Sequence, residues 1–83
     1  MIIPIGLIMQ TITNSRDLGS LIRQARKAQG LTQEQLAGLT GVGVRFAREL
    51  EAGKESCQLG KALQVAAALG LVIQVSSRQE TQP

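Results

Sequence analysis

The chain has no histidine, tyrosine or tryptophan, and a single phenylalanine and a single cysteine in 83 residues. Each absence closes a class of chemistry. Without histidine there is no Ser-His or Cys-His nucleophile pair and no imidazole proton shuttle. Cys57 has no second thiol or imidazole with which to build a disulfide or a zinc set, so no metal is expected. A lone cysteine in so small a chain reads as a small buried or half-buried hydrophobe of a reduced, cytosolic protein, rather than a reactive thiol. One aromatic ring, Phe46, is too few for stacking on single-stranded nucleic acid or RNA. The six acidic residues suggest no paired-carboxylate site. Gly38, Gly41 and Gly43 lack both the GxGxxG spacing and the GK[ST] ending of phosphate-binding loops. The chain reads as a protein without a cofactor and not as an enzyme.

What is present is a short, mildly basic chain. Its 83 residues leave room for one domain, whose core is marginal by itself, so association with a second copy is expected. Nine Lys and Arg against six Asp and Glu, a net charge of +3, is the right sign for a polyanionic partner. The most apolar stretch, Ile2, Ile3, Ile5, Leu7, Ile8 and Met9, is too short to span a bilayer and lacks the basic start and small-residue cleavage site of a signal peptide. A cytoplasmic protein with no membrane partner is expected. Pro4 and Gly6 weaken a helix there, so residues 1–13 read as an apolar arm or edge strand. Met1 and Met9 are both candidate starts.

Helical signals begin at Asn14, an N-cap with Asp17 in the first turn. Leu18, Leu21, Ile22, Ala25 and Ala28 recur at three and four, placing one apolar face on a helix over Ser15 to Gln29, closed by Gly30. Arg23, Arg26 and Lys27 fall on its solvated side. Thr32 and Gln35 fit a capping box before a short helix over Gln33 to Leu39, with Leu36, Ala37 and Leu39 inward. A turn holding Gly41 and Gly43 leads to a third helix, Val44 to Ala52, closed by Gly53, with Val42, Phe46, Ala47 and Leu50 inward. Two short helices about a glycine-bearing turn make a helix-turn-helix. A fourth helix is expected from Cys57 to Leu69, capped by Ser56, with Leu59, Leu63, Ala66, Ala67 and Leu69 apolar. After Gly70 the run Leu71 to Ser76 is β-branched and apolar, which reads as a strand. Its unpaired edge would take the same strand of a second copy or the N-terminal arm. Residues 77–83 read as a disordered tail.

The run Leu31-Thr32-Gln33-Glu34-Gln35-Leu36-Ala37, then Gly41-Val42, then Leu50-Glu51-Ala52-Gly53-Lys54, resembles the Cro/repressor-type (XRE) helix-turn-helix family from about Leu18 to Leu69. Gly41-Val42-Gly43-Val44-Arg45-Phe46, Glu49 to Glu55 and the ending Ala68 to Val75 look like HipB-like antitoxins within it. The resemblance implies an all-α, lambda-repressor-like domain of four to five helices over residues 14–70. It further implies a homodimer, with the strand of residues 71–76 (Leu71, Val72, Ile73 and Val75) helping to join the subunits. Repression of its own operon and a HipA-like serine/threonine kinase toxin as partner are implied as well.

If the third helix is the reader, its free positions are Val44, Arg45, Arg48 and Glu49. Either arginine could fork onto guanine O6 and N7, and Val44 could rest on a thymine methyl. Glu49 would accept from cytosine N4 or pair with an arginine. Gln33 sits where a helix start can hold a backbone phosphate, and Gly41 and Gly43 let the backbone come close to DNA. Two such helices in a dimer would reach major-groove half-sites roughly 34–36 Å apart. The competing readings are a phage- or plasmid-type repressor with no toxin partner and an interaction module that has lost DNA binding.

Overall fold

The computed structural model describes residues 9–77, and four helices lie among them: α1 (Ser15–Ala28), α2 (Gln33–Thr40), α3 (Val44–Glu51) and α4 (Leu59–Ala68). None is long and apolar enough to cross a membrane. Of the arm or edge strand expected over 1–13 and the tail expected over 77–83, residues 1–8 and 78–83 lie outside the described residues, and residues 9–13 form neither helix nor strand.

The first two helices start where their caps dictate. Asn14 is extended and its side-chain oxygen accepts the Asp17 N–H at 2.8 Å. The Asp17 carboxylate accepts in turn from the Thr13 N–H at 3.0 Å and the Thr13 hydroxyl at 2.9 Å, which hold its pKa below the ordinary value. At α2 the capping box is complete: the Thr32 hydroxyl accepts the Gln35 backbone N–H at 3.0 Å, and the Gln35 side-chain Oε1 accepts the Thr32 N–H at 2.8 Å. Gly41 ends α2 at φ 76°, a left-handed geometry that suits glycine.

The fourth helix differs from expectation. It begins at Leu59 rather than Cys57, and Ser56 does not cap it. Cys57 packs against the core from within the preceding turn, so its backbone belongs to that turn and the helix starts two residues later.

The core joins all four helices. Ile22 of α1, Leu36 of α2 and Val65 of α4 are fully buried, with Ala25, Ala37, Ala47, Leu50, Ala62 and Leu69 around them. Full burial of each large side chain is worth about 1.5–3 kcal/mol relative to exposure. Phe46, expected inside, is half-buried with the Lys61 ammonium 5.8 Å from its ring centroid. Leu39 and Leu59, also expected inside, are 69% and 67% exposed, and Leu63, Ala28 and Ala67 are exposed too. Short helices carry more apolar residues than one packed face can hold; on α4 the inner stripe is filled by Ala62, Val65, Ala66 and Leu69.

A second correction concerns charge. Arg26, assigned above to the solvated side of α1, is buried. Its position one residue after Ala25 and four after Ile22 keeps it on the packed face, where Glu51 of α3 meets it. Close approach of α1 to α3 depends on Gly19, which lies against the Leu50 and Glu51 carbonyls.

Residues 71–77 form neither helix nor strand. Leu71 packs partly against the core, whereas Val72, Ile73 and Val75 are exposed. A strand requires a ladder, and within the described residues of one chain none forms. The expected β-strand is therefore not shown among the described residues, whose fold is all-α.

Candidate nucleic-acid interface

The eight residues of α3 divide between two faces. Ala47, Leu50 and Glu51 are buried, which turns Arg45 and Arg48 to solvent and leaves Val44 and Glu49 half-exposed. These are the four outward positions expected from the period, although Val44 also packs partly on the core. Gly43 stands at the N-cap with no side-chain cap bond, and the space about a side chain at Gly41 or Gly43 is open. The turn that leads into α3 is thus bare backbone, accessible to a ligand at close range.

Of the two roles open to Glu49, pairing is the one this chain displays. Its Oε2 accepts from the Lys54 ammonium at 3.1 Å and the Arg45 Nε at 3.4 Å. The Lys54 bond foremost holds the Glu49 carboxyl below the usual range. The Arg45 side chain is nonetheless 87% exposed, and an exposed i,i+4 pair is screened by water, so Arg45 leaves it at little cost. Arg48 has no ion-pair partner among the described residues, and Arg45 is held only at its Nε, which leaves its two terminal nitrogens exposed.

Gln33, the first residue of α2, is half-buried, and its Nε2 donates to Glu51 Oε1 at 3.1 Å. Glu51 also takes two bonds from Arg26, Nε to Oε2 at 2.6 Å and Nη2 to Oε1 at 3.0 Å. A third Arg26 nitrogen, Nη1, donates to the Leu31 carbonyl at 2.7 Å. The bonds to Glu51 raise the pKa of Arg26 against the opposing effect of burial, so the guanidinium stays charged. Beside it opens a cleft of about 400 Å³ lined by Arg23, Arg26, Gln33, Arg48, Glu51 and Ala52. Sequence reasoning missed this pair. The signal was there in the register: Arg26 follows Ile22 by four, and Glu51 follows Ala47 by four, each a charge on an otherwise apolar stripe.

A model of helix-turn-helix sequences matches residues 22–72 of this chain, from the middle of α1 to beyond α4. The chain belongs to the helix-turn-helix family of transcriptional regulators. This helix-turn-helix protein is 50% identical over 64 residues to y4mF of Sinorhizobium fredii, an uncharacterized HTH-type transcriptional regulator, covering 77% of this chain and 84% of that one. Its fold is that of HipB. It matches a chain of the HipB-O4 20mer complex and a chain of the HipA-HipB-O2-O3 complex, each with a TM-score of 0.76 and 20% identity. Each match covers 84% of this chain and 99% of the other. In the helix-turn-helix protein, α2 and α3 about Gly41 are the unit that names the family.

Proposed function

We propose that this protein is a sequence-specific DNA-binding repressor that reads the major groove of its own operator with α3, as the antitoxin of a type II toxin-antitoxin system. The observation that carries the DNA reading is the outward face of α3, where Arg45 and Arg48 stand exposed beside a bare glycine turn. In this reading Arg45 or Arg48 takes guanine O6 and N7, and Val44 meets a thymine methyl. Glu49 restrains Arg45 in the free protein, and the Gly43 backbone and Gln33 lie against the phosphate backbone. The HipA-like kinase partner is supported by the shared fold with a chain of the HipA-HipB-O2-O3 complex.

The reading includes a homodimer, in which residues 71–76 pair across the two-fold axis through Leu71, Val72, Ile73 and Val75. Supporting it are the exposed apolar side chains of Val72, Ile73 and Val75 and of Leu59 and Leu63 on α4, which solvent disfavours and a second copy would cover. Val72→Asp is expected to convert a dimer to monomer in multi-angle light scattering, while an unchanged mass overturns the strand pairing.

Fluorescence anisotropy tests the DNA reading, with duplex from upstream of the gene against a scrambled duplex across a salt series. Selective binding is expected, with log K falling by ~0.9 per phosphate contact against log salt. Arg45→Ala should cost ~1–3 kcal/mol on the cognate duplex and much less on the scrambled one. Equal loss on both would reduce Arg45 to a phosphate contact. Equal, salt-insensitive binding of the wild type to both duplexes would favour an interaction module. Co-purification with the product of a neighbouring kinase gene tests the antitoxin role, and a stable repressor with no such neighbour overturns it.

A further inference from the structure

The Arg26–Glu51 pair lies beneath the surface assigned to DNA, and its three elements are the ones that must keep register there. Arg26 comes from α1, Glu51 from the last turn of α3, and the bonds reach Leu31 and Gln33 on either side of the α2 cap. The Arg26 and Glu51 side chains are 10% and 3% exposed. A carboxylate has acceptors and no donor, so the edge of the Gln33 amide that faces Glu51 must be its NH₂ edge. One N–H of that group is thereby committed. The carbonyl oxygen and the second N–H remain for an outside partner, and the rotamer is set before any ligand arrives.

We propose that the buried Arg26–Glu51 pair is a positioning element for DNA binding, holding the Gln33 side chain and the start of α2 against α3 in the geometry the duplex meets. The inference rests on the operator-binding reading and adds to it that a largely buried pair controls a contact made at the surface. The physical basis is preorganisation. A glutamine free at the surface loses its rotamer freedom on binding, whereas one already tied to Glu51 has lost it on folding. Arg26 has a second part in this, because its bond to the Leu31 carbonyl fixes the residue before the Thr32 cap.

The test is a cycle in the full chain. Arg26→Met with Glu51→Leu replaces the pair by apolar groups of similar bulk, a change that leaves many proteins folded and as stable as before. In the native background Gln33→Ala should weaken cognate duplex binding by about 2- to 10-fold, the effect of one pre-set side chain. In the R26M/E51L background the same substitution should change binding less than half as much on a logarithmic scale, with melting of the double variant near that of the native chain. Equal effects of Gln33→Ala in the two backgrounds overturn the proposal. A second measurement needs no variant: exchange of the Gln33 side-chain amide protons by NMR should be slower than that of exposed Gln58 and Gln74. Exchange as fast as theirs overturns the positioning whatever the binding data show. A native chain that binds no duplex, with a protected Gln33 amide, overturns the operator reading while upholding the restraint on Gln33.

Discussion

Glu51→Ala is expected to lower the stability of the fold by about 3–5 kcal/mol, because it leaves the Arg26 guanidinium buried without its counter-charge. Three bonds to Glu51 go at once, two from Arg26 and one from Gln33. The loss is large against the roughly 5–15 kcal/mol that holds a typical domain together, and larger still in proportion for a chain this short. At about 4–8 °C per kcal/mol for a domain of 60–100 residues, melting should fall by more than ten degrees. Arg26→Ala should do comparable damage by stranding a buried carboxylate. The double replacement R26M/E51L should recover most of the stability, since it removes both charges and both desolvation costs. Calorimetric or chemical unfolding of the three variants checks the pattern. A Glu51→Ala protein within 1 kcal/mol of wild type would mean that water reaches the pair.

Gly19→Ala and Gly38→Ala should move stability in opposite directions, although each puts alanine for glycine inside a helix. By helix propensity alone either change favours folding by about 0.8–1 kcal/mol. At Gly38 a Cβ meets nothing within 4 Å, so that gain is expected in full. At Gly19 a Cβ would press on the Leu50 carbonyl oxygen and come within 2.7 Å of the Glu51 carbonyl oxygen. Both are backbone atoms, which cannot swing aside as a side chain does. The helices α1 and α3 would have to separate, loosening Ile22 and Leu50 and stretching the Arg26–Glu51 bonds that span the same crossing. The expected cost is about 3 kcal/mol, the upper part of the range for overpacking. Thermal unfolding of the two variants side by side checks the sign, and a stabilised Gly19→Ala would show that α1 and α3 tolerate a wider separation.

These two results bear on function through one crossing. The α1–α3 contact carries both Gly19 and the charge pair, and α3 carries Arg45 on its opposite face and Arg48 at the edge, where it lines the same cleft as the pair. A change that tilts α3 at its buried side re-aims its exposed side. Variants at the crossing are therefore expected to lose cognate binding faster than binding to scrambled duplex, since base contacts need the closer placement.

Much of this was legible along the chain, and the legible part is local. Asn14 with Asp17, and Thr32 with Gln35, set the starts of α1 and α2 through bonds spanning three residues, a range that sequence spacing reports directly. Gly41 ends α2 for a reason intrinsic to glycine. The period of Ala47 and Leu50 was enough to turn Arg45 and Arg48 outward. Together these determined four helices, a helix-turn-helix and its exposed face. Tertiary structure decided the rest, because the rest depends on partners far apart in the chain. Whether Arg26 was solvated or buried turned on a carboxylate 25 residues away. Whether Cys57 began α4 turned on its packing into the core from the turn before it. Leu39, Leu59 and Leu63 satisfy the helical period as well as Leu36 or Val65 does, but the space between helices admits one stripe from each, and they lie outside it. Periodicity says which residues share a face; the volume between packed helices decides how many of them are covered.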